Sequence, residues 1–132
     1  MRIYTSYFGN LRALGKEGLF SISIARYTPK WFTGARYLDV APTPFMLSSA
    51  CTQSMYVTRY EDILKSLKPD DVIRQIEQMS GGRDVALLCF EKPGEFCHRH
   101  MLADWLNKNT SYKVEEWQQE ARNEAQQLSL FD

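Results

Sequence analysis

Val85-Ala86-Leu87-Leu88-Cys89-Phe90 is an unbroken apolar run. A strand with one wet face alternates apolar and polar residues. A continuous run, bounded here by Gly81-Gly82 and Pro93-Gly94, reads as a strand buried on both faces of a parallel sheet. Such a strand needs a covering layer on each side, which restricts the chain to a layered α/β architecture. The residues that follow, from Glu95 to Leu106, place Met101, Leu102, Trp105 and Leu106 at helical spacing. A buried strand therefore runs through a turn into an amphipathic helix. That turn carries Glu91, Cys97, His98 and Arg99. Open α/β sheets bind ligands beyond the carboxyl ends of their strands, where these residues fall.

The rest of the chain supplies partners for that strand. Arg2 to Ser6 reads as a first strand and Tyr7 to Asn10 as a turn. Leu11 to Lys16 reads as a short helix, and Leu19 to Ala25 as a second strand with Arg26 at its end. Trp31 to Pro44 holds aromatic residues large for a loop, interrupted by Gly34, Pro42 and Pro44. It either folds over a site or closes the core, with a short strand expected at Tyr37 to Val40. Tyr60, Ile63, Leu64 and Leu67 share one face of a helix over Tyr56 to Leu67. Pro69 opens a second helix, with Asp70 and Asp71 in its first turn and a stripe of Val72, Ile73, Ile76 and Met79; Ser80-Gly81-Gly82 ends it. Tyr112 to Trp117 reads as a short edge strand. The expected fold is α/β, a small three-layer Rossmann-like domain with a mostly parallel sheet and right-handed crossovers. It spans residues 1–117, and residues 118–132 form a polar linker and tail.

The 132 residues suit one core. The net charge is zero but uneven: Met1 to Val40 carries six Arg or Lys against Glu17 and Asp39. Five acids and Arg122 alone occupy Glu115 to the end. A basic front is compatible with an anionic ligand, although solvated surface charge explains many such residues equally well. Three cysteines make no disulfide framework, so reduced thiols and a cytoplasmic location are expected. The mixed polar stretch after Arg2 leads us to expect no signal peptide, and no apolar run approaches the ~20 residues a membrane helix needs.

Three chemistries suit the turn. In the first, Arg99 offers a planar fork of donors to phosphate or carboxylate, a helix N-terminus adds N–H groups, and Arg26 supplies a second cation. Thr5 and Ser6, closing the first strand, join them as candidate ligand-binding residues. The structural alternative is an arginine that pairs with Glu91 or a carbonyl to hold the turn. In the second chemistry, Cys97 is a nucleophile at a helix start, with His98 and Glu91 as candidate proton-handling groups. Adjacent helical residues point about 100° apart, so His98 is not expected to reach Cys97. The structural alternative is a small buried cysteine. The third chemistry is a metal site. The ligand types are right, but the spacing of Cys89, Cys97, His98 and His100 is not a paired knuckle, so neither metal nor cofactor is assigned.

Leu87-Leu88-Cys89-Phe90-Glu91, Cys97-His98-Arg99 and Leu102 resemble the signature of the family of domains of unknown function numbered 488 (DUF488). Ile3-Tyr4-Thr5, and Ile24-Ala25-Arg26 followed by Pro29, are similar to its N-terminal strands. The resemblance covers most of residues 1–117. The family's usual glycine–histidine turn is replaced by Ser6-Tyr7-Phe8-Gly9-Asn10. Its usual aspartate in the second strand is absent, with Ser23 and Ala25 flanking Ile24. The resemblance supports the fold and the place of the site more than any reaction.

Gln127-Leu128-Ser129-Leu130-Phe131 resembles the peptide by which bacterial polymerases and repair proteins dock on the sliding clamp. A polar linker would present a glutamine and three apolar anchors to a preformed groove. The alternative is that these residues fold back on the protein's own core. Together, the features lead us to expect a bacterial or phage protein of DNA metabolism. It would bind a nucleotide, nucleic acid or other phosphate-bearing ligand at the Cys-His-Arg turn and dock on the clamp through its tail. It would be either an enzyme on DNA or nucleotides or a non-enzymatic clamp adaptor or inhibitor. A thiol-dependent redox or sulfur-transfer enzyme is a further reading. No membrane partner is expected.

Overall fold

A computed structural model describes residues 1–92 and 96–118. It contains β1 (Ile3–Tyr7), α1 (Leu11–Lys16), β2 (Phe20–Ser23), β3 (Ala35–Arg36), α2 (Gln53–Lys65), α3 (Pro69–Ser80), β4 (Val85–Cys89), α4 (His98–Asn109) and β5 (Glu115–Glu116). The sheet order is β3-β2-β4-β1-β5, and every pairing is parallel. β4 lies at the centre, paired with β1 from Ile3↔Val85 to Tyr7↔Cys89 and with β2 from Phe20↔Val85 to Ser23↔Leu88. All five of its residues are buried, as a strand flanked and covered on all sides must be.

The pleat of β4 divides the core in two. Val85 and Leu87 pack with Ile3, Ile22, Tyr60, Leu64, Ile73, Ile76, Leu102 and Leu106, beneath α2, α3 and α4. Ala86 and Leu88 pack with Phe8, Leu14, Phe32 and Trp117, on the side of α1. Right-handed crossovers running in opposite directions along a sheet land on opposite faces. The connection from β1 to β2 and that from β4 to β5 run in opposite directions, and their helices cover opposite faces accordingly. This is the three-layer Rossmann-like α/β fold that the sequence leads one to expect.

Local signals explain the element ends. The Thr52 hydroxyl caps α2 by accepting from the Met55 N–H at 3.2 Å. That cap starts the helix at Gln53, three residues before the expected start at Tyr56. Pro69 occupies the first turn of α3, and Gly81, at φ 67°, closes it in the left-handed region that glycine adopts without strain. The strand expected at Tyr37 to Val40 is corrected: β3 is Ala35–Arg36, and Leu38–Val40 is a 3-10 turn. Burial of Tyr37 and Val40 on the core accounts for their apolar character without a strand. The Tyr60 hydroxyl donates to the Val40 carbonyl at 2.7 Å, which ties this segment to α2. Among the described residues no helix is long and apolar enough to cross a membrane. The tail residues Gln127, Leu128, Ser129, Leu130 and Phe131 lie outside the described residues.

Candidate functional site

β2 and β4 are neighbours whose outgoing connections diverge. From β2 the chain moves outward to β3, sending Phe32 to the α1 side of the sheet; from β4 it moves the other way through α4. Such a divergence opens a crevice at the carboxyl edge. A cleft lies there, lined by Ala25, Arg26 and Tyr27 after β2, by Cys89, Phe90 and Glu91 at the end of β4, and by His98, Tyr56, Pro42 and Leu47. Pro42 thus brings the Trp31–Pro44 segment to the site as a wall. The Arg26 Nε–H donates to the Pro42 carbonyl at 2.8 Å, fixing that arginine at the rim. Among the described residues its terminal nitrogens meet no carboxylate.

Arg99 lies on the other side of β4 and is fully buried. Its Nε–H and Nη2–H donate to the two carboxylate oxygens of Glu116 at 3.0 and 2.9 Å, a bidentate pair. Nη1 donates to Cys89 Sγ at 2.8 Å and to the Glu91 carbonyl at 2.5 Å. Thr5 donates from Oγ1 to Glu116 at 2.6 Å, completing a knot across β4, β1 and β5. Ser6 is buried and accepts from the Asn10 amide at 3.0 Å. Arg99, Thr5 and Ser6, candidate ligand-binding residues by sequence, therefore have protein partners and lie apart from the cleft lining. Arg26, Glu91 and His98 line the cleft.

The expectation that His98 does not reach Cys97 is corrected. Cys97 caps α4 with extended backbone, φ −155° and ψ 144°, rather than sitting inside the helix. Its sulfur lies 3.7 Å from His98 Nδ1 and accepts from the Arg99 backbone N–H at 3.4 Å. The opposite ring nitrogen, Nε2, is 2.7 Å from the Ile24 carbonyl. A carbonyl only accepts, so Nε2 carries the proton and the Nδ1 lone pair faces the sulfur. Burial lowers the His98 pKa to about 4; the Ile24 carbonyl opposes the shift, while Arg99 and His100 reinforce it. The imidazole is therefore neutral near pH 7. Moving a proton to it from an ordinary thiol, pKa ~8.5, is uphill by about 6 kcal/mol. His98 thus orients the sulfur rather than deprotonating it. Burial raises the Tyr56 pKa, with Glu91 adding to the shift, so the Tyr56 hydroxyl stays protonated at the cleft wall.

Two of the three cysteines are brought together. The Cys89 and Cys97 sulfurs are in contact, but their Cα atoms are 7.6 Å apart, wider than the roughly 4.4–6.8 Å that a disulfide spans, so the two stand side by side as thiols. Strand end and helix start converge on one point because α4 folds back over β4. The Cys89 and Cys97 sulfurs and a Glu91 carboxylate oxygen lie within 4.8 Å of one another, a set of ligand types suited to a metal ion. The Arg99 guanidinium already supplies positive charge to Cys89, which disfavours a cation there.

Sequence reasoning missed Glu116, Tyr56 and Leu47. Glu116 had a signal. It stands two residues after Val114, whose side chain is in the α4-side core, so strand alternation points an acidic side chain inward. Tyr56 and Leu47 carried none, because only the tertiary fold brings them to the cleft.

Residues 3–110 match a family model described as DUF488-N3a, the active DUF488-N3 subclade. No curated protein matches the chain, and no solved structure does. The chain belongs to the DUF488 family.

Proposed function

We propose, with membership of the DUF488 family as the premise, that the chain binds a phosphate-bearing ligand, a nucleotide or nucleic acid, in the cleft between the ends of β2 and β4. The observation that carries this reading is the convergence of Arg26, Tyr56, Glu91, Cys89 and His98 on one crevice at the carboxyl edge. Arg26 takes the phosphate, because its guanidinium is held at the rim by Pro42 through one nitrogen only. Arg99, saturated by Glu116, Cys89 and Glu91, is a positioning residue rather than a ligand contact. Glu91 is the candidate general acid or base at the mouth. Cys97, in contact with Cys89 of the cleft lining, is the candidate nucleophile, oriented by His98 and accepting from the Arg99 N–H. The matched subclade is described as active, which favours an enzyme over a binding module; DNA or nucleotides as its substrate follow from the phosphate reading of the cleft alone.

The tail completes the proposal. Residues 1–117 form the α/β unit, and Gln127-Leu128-Ser129-Leu130-Phe131 docks on the replication sliding clamp in the cytoplasm. Docking raises the local concentration of the cleft at DNA. The full chain is assayed under reducing conditions for nuclease, glycosylase and nucleotide-hydrolysis activity, beside Arg26→Ala and Cys97→Ser. Equal turnover in both variants removes the cleft from the chemistry. Clamp retention by the full chain but not by one ending at Gln126 supports the tail; equal retention removes it. A second reading, a non-enzymatic clamp adaptor, is favoured by the closure of Arg99 within the protein, as a structural turn requires. Clamp retention without any turnover selects it.

A further inference from the structure

The exposed large hydrophobic residues among those described are Tyr27, Trp31, Leu38, Phe45, Leu47, Phe90 and Phe96. Every one follows the carboxyl end of β2, β3 or β4. Apolar exposure confined to one edge of a sheet marks a binding face. Within it, two aromatic rings are held rigidly. Phe8, 3% exposed, packs edge-on against Phe90 at 5.0 Å and against Trp31 at 6.4 Å between centroids. Phe90 and Trp31 are nevertheless 51% and 59% exposed. A buried ring thus props two open ones, and Phe90 and Tyr27 also line the cleft.

The charge around these rings selects the occupant. Arg26 lines the cleft together with Tyr27 and Phe90. Exposed Lys30 adjoins Trp31, and exposed Lys92 follows Phe90 by two residues. Exposed Arg36 donates from Nη2 to the Arg26 carbonyl at 3.1 Å. Against these stand Glu91, inside the cleft, and exposed Asp39. An aliphatic protein partner would not need cations interleaved with open aromatic faces. A strand of unpaired nucleotides needs both, since each base offers a π-face and each link a phosphate. A duplex hides its base faces and could use only the cations.

We infer that Trp31 and Phe90 form a stacking platform for single-stranded nucleic acid, with Arg26 taking the phosphate between stacked bases. The inference rests on the phosphate reading of the cleft and narrows its ligand from any phosphate ester to an unpaired strand. The test uses the full chain, a fluorescein-labelled single-stranded 12-mer of DNA or RNA, the matching duplex, and inorganic pyrophosphate as a separate probe, all at one low salt concentration. Expected are single-strand binding at least about tenfold tighter than duplex binding, and a loss of about tenfold or more on Trp31→Ala and on Phe90→Ala, with pyrophosphate binding unchanged in Trp31→Ala, whose ring lies outside the cleft lining. Trp31→Gln and circular dichroism guard against a folding defect. Equal affinity for duplex and single strand, or no loss in the variants, overturns the platform while pyrophosphate binding leaves the cleft reading intact. Absence of pyrophosphate binding as well removes both. Sedimentation showing a dimer that Trp31→Ala dissociates assigns the face to a second copy and also overturns the platform.

Discussion

Two arginines stand at the carboxyl edge of one sheet, on opposite sides of β4, and their surroundings differ completely. On the β1 side, Arg99 is buried and its donors are absorbed by Glu116, Cys89 and the Glu91 carbonyl. On the β2 side, Arg26 lines an open cleft and gives one bond to a carbonyl. The difference follows from what each strand end meets. β5 brings an acidic side chain over β1 and fills the notch, whereas β2 and β4 send their connections apart and leave a crevice. The same side chain is thus a rivet in one place and a recognition group in the other. Exposure and partner count separate the two roles where residue type cannot.

The contrast can be broken most forcefully at Glu116. Glu116→Ala leaves the guanidinium of Arg99 buried without its carboxylate, and should cost about 3–5 kcal/mol of stability. Denaturant unfolding measures this, and a loss below about 1 kcal/mol would mean the knot is not closed. The next largest effect concerns His98, whose ring belongs to the cleft wall but is bonded into the core at Ile24. Its pKa is about 4 in the fold and ~6.5 in the unfolded chain, so below ~6.5 the unfolded state binds the extra proton. Its contribution is therefore complete above ~6.5 and disappears as pH falls to about 4, on the order of 3 kcal/mol in all. His98→Asn should remove that slope from the pH dependence of unfolding.

Arg26→Ala is expected to weaken pyrophosphate or nucleotide binding by about tenfold or more, the scale of one hydrogen bond to a charged group, while stability moves by less than about 0.5 kcal/mol. Titration calorimetry paired with a melting curve checks both halves. At Cys97→Ser the effect expected is on chemistry rather than on the fold. A serine hydroxyl caps a helix at least as well as a thiol, so stability should stay within about 1 kcal/mol while thiol chemistry is lost. A full unfolding defect in Cys97→Ser would instead make the sulfur part of the scaffold.

Much of the fold was legible because one kind of signal dominated it. The apolar run at Val85–Cys89 required burial on both faces, and the stripe Val72, Ile73, Ile76 required a helix packed on that strand. Pro69 and Gly81 marked the ends of α3 by backbone chemistry alone. Ala35 to Leu47 was not legible, since Tyr37, Val40 and Met46 are buried by contacts with distant elements rather than by local periodicity. In the site, Arg26, Glu91 and His98 could be placed at strand and helix ends. The division of labour between Arg26 and Arg99 could not, because it depends on Glu116, which lies 17 residues beyond Arg99 and meets it only through sheet pairing. The contact between Cys97 and His98 was hidden for a related reason: helical spacing does not apply to a cap residue in extended conformation.

The most direct test of the contrast is a single set of ¹H–¹⁵N spectra recorded while pyrophosphate is titrated into the full chain. The account predicts shifts at the Arg26 side chain and at the amides of Ala25, Tyr27, Phe90 and Glu91, with the Arg99 Nε–H signal unmoved because Glu116 keeps it. Displacement of the Arg99 Nε–H signal with Arg26 unchanged would contradict it, and would return the ligand to the β1 side of the central strand.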